Sequence, residues 1–150
     1  MKTKEGRETV LVVDYDPAVL VLIQHVLIGG GYRVLLAAKP ADAVRIARQK
    51  HIRIDLAIID VAVYGDSGGD LAQTMLGIRP DVRVLWMSGF VDEPFIRVKL
   101  HDEYAGFLSK PLRRDGLLPV VQQALEEAPR GWGMPAYQGE RALTVDAGAC

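Results

Sequence analysis

Five short runs rich in Val, Ile, Leu and Ala punctuate the chain: Val10 to Val13, Val34 to Ala37, Leu56 to Ile59, Val82 to Met87 and, more weakly, Ala105 to Leu108. They lack the polar/apolar alternation of a half-exposed sheet, so each reads as a strand buried on both faces, the habit of parallel strands covered by helices. Helical patterns fill the intervals: Pro17 to Ile28, Ala41 to Lys50, Gly69 to Ile78, a poorer one from Glu93 to Leu100, and Arg113 to Glu127. Asp16 before Pro17 is a start signal, because an aspartate caps free backbone amides and proline suits the first helical position. Gly29-Gly30-Gly31 is the matching stop. Five β/α units in alternation predict right-handed crossovers and an α/β fold, a doubly wound five-stranded parallel sheet.

A chain of 150 residues suits one hydrophobic core. No apolar run approaches the roughly 20 residues that span a bilayer. The polar start MKTKEGRE lacks a secretory signal and the only cysteine, Cys150, has no partner in the chain, which together predict a cytoplasmic protein. With 18 basic against 19 acidic residues there is no general pull toward nucleic acid or anionic lipid. Arg45, Arg48, Lys50 and Arg53 read as a solvated face. After Ala128 the pattern changes: residues 129–150 hold four glycines, two prolines and little periodicity. The reading is therefore one domain over 1–128 and a flexible tail over 129–150, in which Trp132 and Tyr137 are candidates for docking.

Open α/β sheets carry their functional crevice at the carboxyl ends of the strands. That rule brings together Asp14, Asp60, Ser88 and Lys110, from strands one, three, four and five. Asp60 closes the buried run IDLAIID and opens a glycine-containing loop. Taken alone it reads equally as a loop cap or as a nucleophile toward phosphorus; the other three strand ends favour the nucleophile. Acyl phosphate formation needs a divalent cation to offset charge and a donor such as lysine on the phosphoryl oxygens, and Lys110 and Ser88 are suitable types. His25, His51 and His101 stand apart from any metal-ligand spacing and read as surface or helix positions. Trp86 reads as core.

The pieces VLVVDYDP, DLAIIDVAVYGDSGGDL, VLWMSGF and GFLSKPL, in that order and spacing, resemble the receiver domain of two-component response regulators over roughly Glu8 to Ala128. The resemblance implies a flavodoxin-like (βα)5 fold with strand order 2-1-3-4-5. It also implies Asp60 as phosphoryl acceptor, Ser88 and Phe107 as the switch pair, Lys110 as the phosphate-contacting lysine, and a Lys110-Pro111 peptide that is often cis. Magnesium is the implied cofactor, held by Asp14, Asp60 and the backbone carbonyl of Ala62. The implied partners are a histidine kinase or phosphotransfer protein and a downstream protein effector, in a bacterial phosphorelay, with a homodimer as the family's common assembly. The output is binding and not chemistry on a metabolite.

Departures from the pattern are specific. Tyr15 stands where the family has a second acidic metal ligand, so the site is altered, with water-mediated and weaker magnesium binding through Asp14 and Asp60 as the expectation. Asp16 is better used as the helix cap, and Asp66 is read as a solvated loop residue. Tyr64 replaces a common proline. Ala62 and Phe90, two residues past Asp60 and Ser88, are apolar, which predicts slow loss of a phosphoryl group to water. Gly89 is read equally as a turn glycine and as an opening for the phosphodonor. The alternative function is an interaction module on the same fold that has lost metal-dependent phosphorylation. A metabolic enzyme on this scaffold lacks support, because no G-x-G-x-x-G after strand one, no phosphate-binding G-x-x-x-x-G-K-S/T loop and no G-x-S-x-G elbow occur.

Overall fold

The computed structural model describes residues 7–63, 71–88, 106–127 and 143–145. Along the chain run β1 (Thr9–Val13), α1 (Pro17–Gly29), β2 (Arg33–Ala37), α2 (Pro40–Ala47), β3 (Leu56–Asp60), a single 3₁₀ turn (Val61–Val63), α3 (Leu71–Ile78), β4 (Arg83–Ser88), β5 (Gly106–Ser109), α4 (Arg114–Glu127) and β6 (Leu143–Val145). The helical pattern Glu93 to Leu100 lies outside the described residues; α4 is the fifth pattern of the sequence.

Every strand pairing is parallel, and the order across the sheet is β2-β1-β3-β4-β5-β6. The first five strands stand in the order 2-1-3-4-5 that the resemblance implies. A sixth strand is added beyond these five: residues 143–145, inside the segment read as a tail, pair with β5. Three residues give too short a pattern for periodicity to register.

Alternate residues of each strand face opposite sides of the sheet, which divides the core in two. Val10 and Val12 of β1, Leu56 and Ile58 of β3, Leu85 and Met87 of β4 and Leu108 of β5 pack with α1 and α4. The intervening residues, Leu11, Val13, Ala57, Ile59, Val84 and Trp86, pack with α2 and α3. β1 and β3 are buried at every position, as their unbroken apolar runs require. β2 departs from that reading and is only partly covered, because it is an edge strand with one neighbour.

Both local signals flanking α1 operate. The Asp16 side chain accepts a hydrogen bond from the Ala18 N–H at 2.9 Å and Pro17 opens the helix. At the other end, Gly31 takes φ 97°, a left-handed value that a side chain would strain.

Candidate functional site

Two adjacent interior strands of the sheet lead into carboxylates. Asp14 follows β1 and Asp60 closes β3, and because β1 and β3 are adjacent and parallel, the two side chains meet at one end of the sheet. Both are deeply buried, at 2% and 5% exposure. Lys110, immediately after β5, reaches them from two strands beyond β3 and three beyond β1: its Nζ lies 2.8 Å from Asp14 Oδ2 and 2.9 Å from Asp60 Oδ1. The Lys110-Pro111 peptide is cis.

The remaining Asp14 oxygen, Oδ1, accepts the Asp16 N–H at 2.8 Å, so the turn before α1 holds this carboxylate in place. Asp60 also accepts a hydrogen bond from the Ala62 backbone in the 3₁₀ turn. Burial raises the Asp60 pKa above its ordinary value, and the neighbouring Asp14 charge adds to that; the Lys110 contact and the Ala62 amide oppose it without reversing it. For Lys110, burial works against the ammonium, but the hydrogen bonds and charges of Asp14 and Asp60 outweigh it and hold the pKa above its ordinary value. One cation thus serves two carboxylates, and the cluster carries an excess negative charge when both are ionised.

Of the predicted site residues, the structure joins Asp14, Asp60 and Lys110 directly. Ser88 ends β4 with its backbone in register with Ser109; its side chain and that of Phe107 lie outside the described residues, as do Tyr64, Asp66, Gly89 and Phe90. Tyr15 is 43% exposed, and Asp16 is occupied as the α1 cap. Among the described residues no group of three or more His, Cys, Asp or Glu side chains is placed to hold a metal ion. Sequence reasoning missed two features. One is that Lys110 bridges both carboxylates, which needs the strand order to see. The other is the outer face of α1, where Val21 and Ile28 are 61% and 54% exposed. Its signal was present: α1 contains no Asp, Glu, Lys or Arg.

The family model described as "Response regulator receiver domain" matches residues 10–122. The chain belongs to this family. The receiver is 30% identical over 122 residues to a protein named sensor kinase CckA from Brucella abortus (strain 2308), covering 81% of this chain and 13% of that one. It is 27% identical over 118 residues to the transcriptional regulatory protein GlrR of Escherichia coli (strain K12), covering 79% of this chain and 26% of that one. The receiver therefore spans a small part of the length of these relatives. Among solved structures, a response regulator from Thermotoga maritima superposes with a TM-score of 0.70 at 26% identity, covering 81% of this chain and all of that one. A receiver domain protein from Clostridium thermocellum does so with a TM-score of 0.68, covering 79% and 94%. No helix among the described residues is long and apolar enough to cross a membrane.

Proposed function

We propose that this receiver takes a phosphoryl group onto Asp60 from a phosphorylated histidine of a kinase or phosphotransfer protein and switches a protein-binding surface in response. The observation that carries the reading is the buried cluster in which one ammonium spans Asp14 and Asp60 at 2.8 and 2.9 Å. An Asp60 carboxylate oxygen attacks phosphorus; the P–O bond forms as the P–N bond to imidazole breaks, and the leaving nitrogen takes up a proton. Lys110 is within reach of the transferred oxygens and offsets their charge, which is the main demand of phosphoryl transfer.

The donor set also suits a hard divalent cation, since it consists of oxygens and is one positive charge short. Asp14, Asp60 and the Ala62 carbonyl would hold Mg²⁺, which when bound supplies further charge neutralisation at the acceptor. The uncharged face of α1, beginning directly after Asp14-Tyr15-Asp16, would seat the donor. Pro17, Ala18, Val21, Leu22, His25 and Arg114 line a recess there of about 560 Å³.

Tyr15 favours a second reading, a receiver-fold interaction module without metal-dependent phosphorylation. Intact mass after incubation with acetyl phosphate and Mg²⁺ separates the two. A single phosphoryl group that disappears in Asp60→Ala and in metal-free buffer supports the acceptor; no added mass at saturating donor supports the interaction module.

A further inference from the structure

The first five strands and their helices account for the receiver frame; β6 adds to it. Its residues lie beside β5 at Gly106↔Leu143, Phe107↔Thr144 and Leu108↔Val145, and the strand also lies against α4. β5 is consequently held from both sides, by β4 at Trp86↔Phe107 and Met87↔Leu108 and by β6 at the same two β5 positions. Two residues beyond Leu108 the chain delivers Lys110 between Asp14 and Asp60. A short continuous path of paired backbone therefore joins the acceptor to the C-terminal segment.

We propose that the outer edge of β5, flanked by α4, is a strand-docking site, filled by the chain's own residues 143–145 while Asp60 is unmodified and vacated once Asp60 carries a phosphoryl group. The coupling rests on the acceptor reading above. Leu-Thr-Val is a strand-favouring sequence, but a three-residue strand at the end of a sheet sits at the short limit for strands, and its hold is small enough for a local event to overturn. The event is electrostatic. A phosphoryl group adds roughly −1.5 to −2 charges beside Lys110, drawing the ammonium away from its present position between the carboxylates and with it the end of β5. A slip of one residue would leave only two of the three β6 positions paired, weakening a hold that is already small. Release is the response left, and it opens the β5 edge to an extended segment of a partner.

The test is hydrogen exchange of the full chain, read by mass spectrometry on peptides covering 106–109 and 143–145, with intact mass taken in parallel. In the unmodified chain, residues 143–145 are expected to exchange at least tenfold more slowly than an open segment. Acetyl phosphate with Mg²⁺ should abolish that protection, whereas Asp60→Asn under the same treatment should keep it. The variant Leu143→Pro/Thr144→Pro, in which successive positions face opposite sides so that one of the two removes a donor toward β5, should lower the protection of the partner peptide 106–109 without phosphodonor. It should still accept the phosphoryl group. Unprotected 143–145 in the unmodified chain overturns the docking. Added mass with unchanged protection overturns the coupling and leaves the acceptor reading standing, while absence of added mass overturns the acceptor reading and the coupling with it.

Discussion

At the scale of single residues, the cluster at Asp60 is built against its own stability. Two carboxylates at 2% and 5% exposure share one ammonium, so the folded state holds charge that the unfolded state solvates freely. The Asp60 pKa is raised above 3.8, chiefly by burial. Between that value and its folded pKa the native chain binds more protons than the unfolded chain, and stability falls as pH rises through the window. Asp60→Asn removes the cost: urea unfolding at pH 7 should show a gain of about 1 kcal/mol, equivalent to a rise in Tm of about 4 °C, and the falling limb above pH 3.8 should flatten. An unchanged pH profile would refute the account. Lys110 has the opposite sign. Its pKa is raised above 10.5, so its contribution is complete below that pH and is lost as pH climbs through the folded value. Lys110→Met should destabilise by about 1.5–3 kcal/mol at pH 7, the range for hydrogen bonds to charged groups. The loss should be smaller at pH 4 than at pH 7, because the raised Asp60 pKa shifts its carboxyl toward the protonated form as pH falls and lessens its need for the ammonium. Equal losses at the two pH values would argue that Lys110 acts through packing.

At the scale of elements, α1 and α4 show how a helix can serve two demands. α1 buries Leu20, Ile23, Val26 and Leu27 against the sheet, yet leaves Val21 and Ile28 in solvent beside His25, so its outer face carries no Asp, Glu, Lys or Arg. Burial alone would place charges on the outer face. If that face seats the phosphodonor, Val21→Glu should slow transfer from a phosphorylated histidine protein about tenfold, roughly 1.4 kcal/mol. Uptake from acetyl phosphate and the unfolding midpoint should stay as in the parent. Equal slowing with both donors would place the effect at Asp60 and not at docking. α4 carries Pro119 inside its second turn, at an exposed position. Proline there removes a backbone donor and crowds the preceding turn, a cost of up to about 3 kcal/mol relative to alanine. Pro119→Ala should raise stability by about 1–3 kcal/mol in urea unfolding without changing phosphoryl uptake; a loss of stability would mean that α4 is shaped to the proline.

At the scale of the whole molecule, the fold was legible because its signals are long and redundant. Unbroken apolar runs gave β1 and β3, and Asp16-Pro17 and the three glycines gave α1 its ends. β6 escaped because Leu143–Val145 forms an element only by virtue of its neighbour. The site was legible as a set of strand ends, whereas the Lys110 bridge emerges only once β5 is placed beside β4 and β1 beside β3. The substitution at Tyr15 raises a question that belongs to the molecule as a unit, namely how much metal binding contributes to its folding. A ligand that binds only the native state stabilises by RT ln(1 + [L]/Kd), about 1.4 kcal/mol at ten times Kd. On the acceptor reading, Mg²⁺ should therefore raise the Tm of the full chain by about 4 °C at that ratio, with Tm climbing steadily against log[Mg²⁺]. Asp14→Asn should abolish the climb. Tyr15 is 43% exposed, so a carboxylate there keeps access to water, and Tyr15→Asp should begin the climb at about tenfold lower Mg²⁺, through one further oxygen ligand. A parent chain whose Tm is indifferent to Mg²⁺ while Tyr15→Asp responds would show that this one residue has taken the receiver out of metal-dependent phosphorylation and made it an interaction module.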